Sequence, residues 1–246
     1  MTFAGQRVVI IGGSAGIGEA AARAFAAQGA AVTITGRSKD RLDQAAQRIG
    51  HPVLAAEFDA TSRKALDAFF ATTAAIDHLV LSASPGAVGA GPITAVDEAA
   101  LRQAFDGKFF GYVKAIQAAL PQLRPDGSVT MITASSARAA FAGTAGLAAV
   151  NGALESAVAP LAVELAPLRV NAVSPGVIDT HWWDAMPEEQ RRAYFESVAA
   201  VTPARRVGRP EDVAGAVVYL AGAGYVTGTV LECAGGSNLT AAALAS

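Results

Sequence analysis

Near its start the chain runs Val8-Val9-Ile10-Ile11 into Gly12-Gly13-Ser14-Ala15-Gly16-Ile17-Gly18 and then into an Ala-rich stretch. A buried strand, a glycine-rich turn and a helix in that order leave few folds open. The glycines are spaced G-x-x-x-G-x-G, and each has a physical task. One permits a tight turn, one lets backbone approach a pyrophosphate, and one lets helix and strand pack closely. Backbone N–H groups at the helix start then face the phosphates, aided by the helix dipole. The alternative is a tight turn with no ligand, but the strand before it and the helix after it are the context that the phosphate-binding motif requires. Gly12, Ser14, Gly16, Ile17 and Gly18 are therefore candidate dinucleotide contacts.

The rest of the chain repeats the strand–helix alternation. Short β-branched runs predict strands near 7–11, 31–35, 52–57, 78–82, 127–133, 168–173 and 229–233. Longer patterns predict helices near 16–28, 38–48, 61–75, 97–122, 144–166 and 210–221. Such alternation implies parallel strands joined by right-handed crossovers. Leu79-Val80-Leu81 is a continuous apolar run, as expected for a sheet covered on both faces. The expected fold class is α/β: a doubly wound, mostly parallel sheet of seven strands with helices on both faces. No linker, repeat or low-complexity tract divides the 246 residues, so 1–246 is expected to form one domain. Segment 181–206 is an insertion carrying Trp182, Trp183, Tyr194 and Phe195. It is either a substrate lid or a helical pair whose aromatics pack together.

A net charge of −2 offers no electrostatic case for nucleic acid or an anionic membrane. The single cysteine, Cys233, excludes an intramolecular disulfide, and no Cys/His cluster suggests a metal. No signal peptide is visible, and no stretch reaches 18 uninterrupted apolar residues, which argues against a membrane span. A cytoplasmic protein is expected.

The second predicted strand ends at Thr33-Ile34-Thr35-Gly36-Arg37-Ser38. An acidic residue there would accept from a ribose 2′-hydroxyl and repel a 2′-phosphate; none is present. Arg37 and Ser38 suit a 2′-phosphate instead, with Lys39 or Arg41 adding charge, so NADP is the expected cofactor. The alternative for Arg37 is a solvated residue at the start of the next helix. Asp59, after the third strand, would lie on the adenine side.

With these residues in view, the chain resembles the short-chain dehydrogenase/reductase family over nearly its whole length. The resemblance is carried by the glycine turn, Asp77-His78-Leu79-Val80, Leu161-Ala162-Val163-Glu164-Leu165-Ala166-Pro167, Arg169-Val170-Asn171-Ala172-Val173-Ser174-Pro175-Gly176, Gly208-Arg209-Pro210-Glu211-Asp212-Val213 and Val226-Thr227-Gly228. It implies a Rossmann fold and a homodimer or homotetramer. It also implies a nicotinamide lined by Pro175, Gly176, Val177, Ile178 and Thr180.

The departures from the family pattern are as informative. The family's Asn-Asn-Ala-Gly after the fourth strand is here Leu81-Ser82-Ala83-Ser84, with Ser82 and Ala83 as the expected cofactor contacts. The family's catalytic Tyr aligns with Leu147 and its Lys, four residues on, with Asn151; the active-site Asn of the neighbouring helix aligns with Lys108. Tyr112, Tyr194, Tyr219 and Tyr225 are followed four positions on by Ile116, Val198, Ala223 and Thr229, so the Tyr-x-x-x-Lys pair has not moved elsewhere. Ser135 and Ser136 are both candidates for the catalytic Ser.

Leu147 has no acid–base chemistry, and loss of a positioned acid costs about 10²–10⁴ in rate. The Asn and Lys types are exchanged between the two helices. Lys108 is therefore expected to project its ammonium into the pocket, where it would restore the positive charge and act as proton donor, while Asn151 keeps a neutral hydrogen bond. The alternative for Lys108 is a solvated or interface lysine. Tyr112, His181 and Arg138 are weaker candidates, each with a structural alternative. Two functions follow. One is an NADP-dependent oxidoreductase with a non-standard active site acting on a small carbonyl, alcohol or enone. The other is an NADP-binding protein without redox activity, such as a sensor, a partner subunit, or an isomerase, dehydratase or cyclase.

Overall fold

A computed structural model describes residues 2–240. Seven parallel strands form one sheet: β1 (Arg7–Ile11), β2 (Ala31–Gly36), β3 (Val53–Glu57), β4 (Ile76–Leu81), β5 (Leu123–Ile132), β6 (Arg169–Pro175) and β7 (Val230–Cys233). Their spatial order is β3-β2-β1-β4-β5-β6-β7. The chain reverses its direction of growth between β1 and β4, and in such sheets the ligand crevice opens at that switch point.

Strand geometry splits the core in two. Side chains alternate across a strand, so Val8 and Ile10 join one apolar cluster while Val9 and Ile11 join the other. The same division separates Val80 from Leu79 and Leu81. One face is covered by α1 (Gly16–Ala26), α2 (Lys39–Ile49) and α8 (Pro210–Gly222), through residues such as Phe25, Leu42 and Val217. The other is covered by α3 (Arg63–Thr72), α5 (Gly111–Ala119) and α6 (Ala145–Glu164), through Leu66, Ile116 and Leu154.

Local chemistry sets the helix starts. The hydroxyl of Ser38 accepts from the Arg41 amide and caps α2; Ser62 does the same for α3. Pro210 opens α8, where its missing N–H costs nothing.

Two regions differ from the sequence expectation. The stretch expected as one helix over 97–122 is α4 (Glu98–Phe105), a single π-helical turn at Asp106–Phe110, and α5, closed by a 3₁₀ turn at Leu120–Gln122. Pro121 accounts for the end. The expected strand at 127–133 begins four residues earlier, at Leu123, with a register irregularity against β4 between Ile76 and His78.

Segment 181–206 contains a 3₁₀ turn, His181–Trp183, and one helix, α7 (Glu188–Val201). It is therefore not a pair of helices. Its four aromatics do pack together: Trp183 lies 4.4 Å from Trp182, 5.1 Å from Tyr194 and 5.8 Å from Phe195, ring centre to ring centre. The Trp183 indole N–H donates to the Ile178 carbonyl and ties the cluster to the end of β6.

By length and composition α6 could cross a membrane. In this fold Val150, Leu154, Val158 and Ala162 of that helix are buried, while Val163 is 81% exposed.

Candidate functional site

The glycine turn lies at the carboxyl edge of β1, beside the loop that follows β4. Gly12 has φ +89°, which L side chains rarely adopt, and a Cβ there would come within 2.5 Å of the Ala83 amide nitrogen. A Cβ on Gly18 would approach the Gly12 carbonyl oxygen to 2.1 Å. The turn is thus compressed against its own helix on one side and against Ser82-Ala83 on the other.

Gly16 has φ +54°, and a Cβ built on it would lie 3.3 Å from the Thr180 methyl. The turn after β1 and the segment after β6 therefore line one crevice. Pro175 is buried at the end of β6, Gly176 packs against Ala234, and buried Ile178 bridges to Gly208. The Thr180 hydroxyl accepts from the Trp182 amide and caps the 3₁₀ turn. Bare glycine backbone at a helix start, facing the Thr180 side chain across the cleft, fits the phosphates of a dinucleotide.

After β2, Arg37 is exposed beside the capping residue Ser38. Asp59 is exposed as well; it accepts from the Thr61 amide and hydroxyl, and these bonds hold its carboxyl below the usual range, with Arg37 and Lys114 adding to the effect.

Lys108 sits in the π-helical turn. One extra residue in a turn rotates the side chains that follow it, and such turns recur at functional sites. Here the ammonium points inward. Lys108 is only 9% exposed, and its Nζ donates to Asn151 Oδ1 at 2.7 Å and to the Thr133 carbonyl at 3.4 Å. Burial pushes its pKa down to about 8, against the opposing pull of Glu155. Such a group holds a proton at neutral pH and releases it readily.

Asn151 is buried on α6. Its Nδ2 donates to the Leu147 carbonyl at 2.9 Å and to Ser136 Oγ at 3.3 Å. Lys108, Asn151 and Ser136 thus form one hydrogen-bonded line across three elements. Ser135 and Ser136 both lie in a 3₁₀ turn, Ser135–Ala137; the Ser135 side chain has no hydrogen bond among the described residues, so Ser136 is the one joined to the cluster. Leu147 is half-buried one helical turn before Asn151.

The weaker candidates fall elsewhere. Tyr112 is buried, with its hydroxyl donating to the Ala83 and Ile132 carbonyls; burial raises its pKa further, so it braces the loop beside Gly12 and offers no ready proton. His181 is exposed and pairs with Asp184. Arg138 bonds Glu155 at 2.8 Å and Glu232 at 3.1 Å. Glu155 and Thr133 were not singled out from the sequence: the Thr133 hydroxyl donates to Glu155 Oε1 at 2.8 Å, and neither the spacing nor the residue types signal it. Among the described residues no group of three His, Cys, Asp or Glu side chains could hold a metal ion.

The chain is similar to known proteins over nearly its whole length. Residues 12–238 match the family model described as enoyl-(acyl carrier protein) reductase. The short-chain dehydrogenase/reductase ATR9 of Stachybotrys chlorohalonatus is 30% identical, over 97% of this chain and 99% of its own. The L-tagatose-forming galactitol 2-dehydrogenase of Cereibacter sphaeroides is 33% identical over 94% of each. A small-chain dehydrogenase crystallised with NADPH superposes with a TM-score of 0.82 at 30% identity, covering 95% of this chain and 99% of that one. A sheet that reverses at β1/β4, a glycine turn at the reversal and relatives matched end to end have one common explanation: the chain belongs to the short-chain dehydrogenase/reductase family.

Proposed function

We propose that the protein is an NADP(H)-dependent oxidoreductase whose proton-bearing group is Lys108, acting on a small carbonyl, alcohol or enone. The observation that carries this reading is the 2.7 Å bond between Lys108 Nζ and Asn151 Oδ1. It gathers the family's two residue types in one buried cluster with their helices exchanged.

When bound, the nicotinamide gives or takes the hydride. The chain's own residues do the rest. Gly12, Ser14, Gly16, Ile17 and Gly18 present backbone to the pyrophosphate. Arg37 and Ser38 recognise the 2′-phosphate, and Asp59 lies toward the adenine. Ser82 and Ala83 flank the cofactor, and Pro175, Gly176, Ile178 and Thr180 line the nicotinamide end. Lys108 holds a proton at Nζ for the developing alkoxide, Asn151 orients that ammonium, and Ser136, rather than Ser135, polarises the substrate oxygen. Leu147 contributes an apolar wall and no proton.

A second reading is favoured by Leu147 itself. Without a phenol, the same pocket suits an NADP-binding protein with no hydride transfer. Oxidation of NADPH in step with product formation separates the two; binding without turnover across a broad carbonyl and enone panel favours the second.

We further propose that residues 1–246 act as one cofactor-binding unit with 181–206 as a lid, in the cytoplasm, as a homodimer or homotetramer that binds neither nucleic acid nor membrane. Exposed Val163, Tyr219 and Tyr225 supply apolar surface for self-association.

The test is calorimetric titration of NADPH and NADH into the wild type and Lys108→Met. Tight NADPH binding that weakens about tenfold in the variant supports the assignment of Lys108. Equal binding by both proteins removes Lys108 from the cofactor pocket, and no binding of either nucleotide ends the redox reading.

A further inference from the structure

A second line of contacts leads away from Lys108. The Thr133 carbonyl accepts from Lys108 Nζ, while the Thr133 hydroxyl donates to Glu155 Oε1 at 2.8 Å. The other carboxylate oxygen, Oε2, accepts from Arg138 Nε at 2.8 Å, and Arg138 reaches on to Glu232 at 3.1 Å. Glu155 lies one helical turn after Asn151 on α6, so the two residues whose side chains lead to the ammonium, Asn151 directly and Glu155 through Thr133, share one face of that helix. Its side chain is 7% exposed, and a carboxylate buried to that degree needs compensating partners. Arg138, 47% exposed, links this buried charge to the surface.

We propose that Glu155 is a positioning residue of the active site: through Thr133 it holds the Lys108 ammonium in place, with Arg138 as a counterweight that sets how much of the carboxylate's charge the lysine feels. This rests on the reading of Lys108 as the proton-bearing group.

The charged groups on the surrounding elements are few. On α6 there are Glu155 and, exposed at its far end, Glu164; Arg138 directly follows the 3₁₀ turn, and Glu232 lies behind it on β7. On α4, Glu98 and Arg102 are exposed and paired with each other. On the lysine's own run, Asp106 is exposed, Lys114 donates to the Thr61 carbonyl, and Tyr112 is a buried phenol. Glu155 is the charge that opposes the effect of burial on Lys108.

The experiment needs neither substrate nor cofactor. The chain has four lysines, Lys39, Lys64, Lys108 and Lys114. Carbon and nitrogen NMR of the labelled lysine side chains, assigned with Lys108→Met, gives the Lys108 titration midpoint directly. Glu155→Gln removes the charge at constant shape and should lower that midpoint by about one pH unit. Arg138→Gln, at a half-exposed site, frees the carboxylate and should raise it. Glu155→Asp should restore most of the wild-type value. A purely structural cluster would show shifts of one sign in both variants, or none, and either result overturns the proposal, as does an unmoved midpoint in Arg138→Gln if Glu155→Gln fails to fold. Given an active enzyme, the alkaline limb of kcat should move the same way as the midpoint. Opposed midpoints together with an activity that survives Lys108→Met would instead leave Glu155 in its role and discard Lys108 as the proton donor.

Discussion

Lys108 and Asn151, 43 residues apart, meet across 2.7 Å in a buried site, where the ammonium donates to the carboxamide oxygen. The contact has a direction: an amide oxygen can receive a buried cation, whereas a second ammonium at position 151 would face it with like charge.

That asymmetry makes an exchange experiment informative. Asn151→Lys alone places two ammonium groups together and should destabilise the fold by about 3 kcal/mol or more, the range for an uncompensated buried charge. Lys108→Asn alone removes the cation and should cost less. The double exchange, Lys108→Asn with Asn151→Lys, should recover most of the loss, giving a coupling of about 1–3 kcal/mol in denaturant melts. Additive effects would mean that the two side chains do not share an environment.

Gly18 tests the turn. Gly→Ala inside a helix normally gains roughly 1 kcal/mol in propensity. Here the added Cβ would lie 2.1 Å from the Gly12 carbonyl oxygen, a backbone atom that cannot swing aside. The clash should win by about 1–3 kcal/mol. Gly18→Ala is expected to lower Tm and to weaken NADPH binding, as read by thermal melts with and without the nucleotide. A raised Tm would refute the close packing.

Much of the fold was legible in the sequence. Strand–helix alternation and continuous apolar runs such as Leu79-Val80-Leu81 led to a parallel sheet, because such runs leave a strand no solvent face. The glycine turn was legible because close backbone approach admits no other residue. Lys108 and Asn151 drew notice only through the resemblance, which aligns them with the family's Asn and Lys. The π-helical turn at Asp106–Phe110 was not legible: one extra residue shifts the phase of the apolar pattern, but helices as short as α4 and α5 carry too few apolar positions to reveal the shift. The Thr133–Glu155–Arg138 chain was equally hidden, since it joins the loop after β5, the end of the 3₁₀ turn and α6 and uses ordinary residue types. Ser136 separates from Ser135 only through the geometry of one 3₁₀ turn.

His78 should govern part of the acid stability. Its ring is buried against Phe3 and Phe25; with the Gln6 oxygen facing it, the neutral ring donates from Nε2 and accepts from Ser128 at Nδ1. Burial lowers its pKa from 6.5 to about 4. Between those values the unfolded chain binds a proton that the folded one refuses, so stability rises with pH across that window and is lost as pH falls through it. The full span amounts to about 3 kcal/mol. Urea melts at pH 7 and pH 4.5 should show a smaller difference for His78→Gln than for the wild type; equal slopes would place the acid sensitivity elsewhere.

If the protein reads a 2′-phosphate as proposed, Arg37 should decide the choice between the two nucleotides. It is exposed at the end of β2, and no acidic side chain replaces it at the β2–α2 junction, where Ser38 already serves as the helix cap. A guanidinium there would gain a charge-assisted bond only when a 2′-phosphate is present, so its contribution should be specific to NADPH. Arg37→Glu should weaken NADPH binding by tenfold or more, about 1.4 kcal/mol, through both the lost bond and the new repulsion. NADH, which has a hydroxyl at that position, should bind equally well or better, because a carboxylate can accept from it. Parallel titrations of both nucleotides check this. A variant that loses NADPH and NADH affinity alike would show that Arg37 supports the turn rather than reading the phosphate.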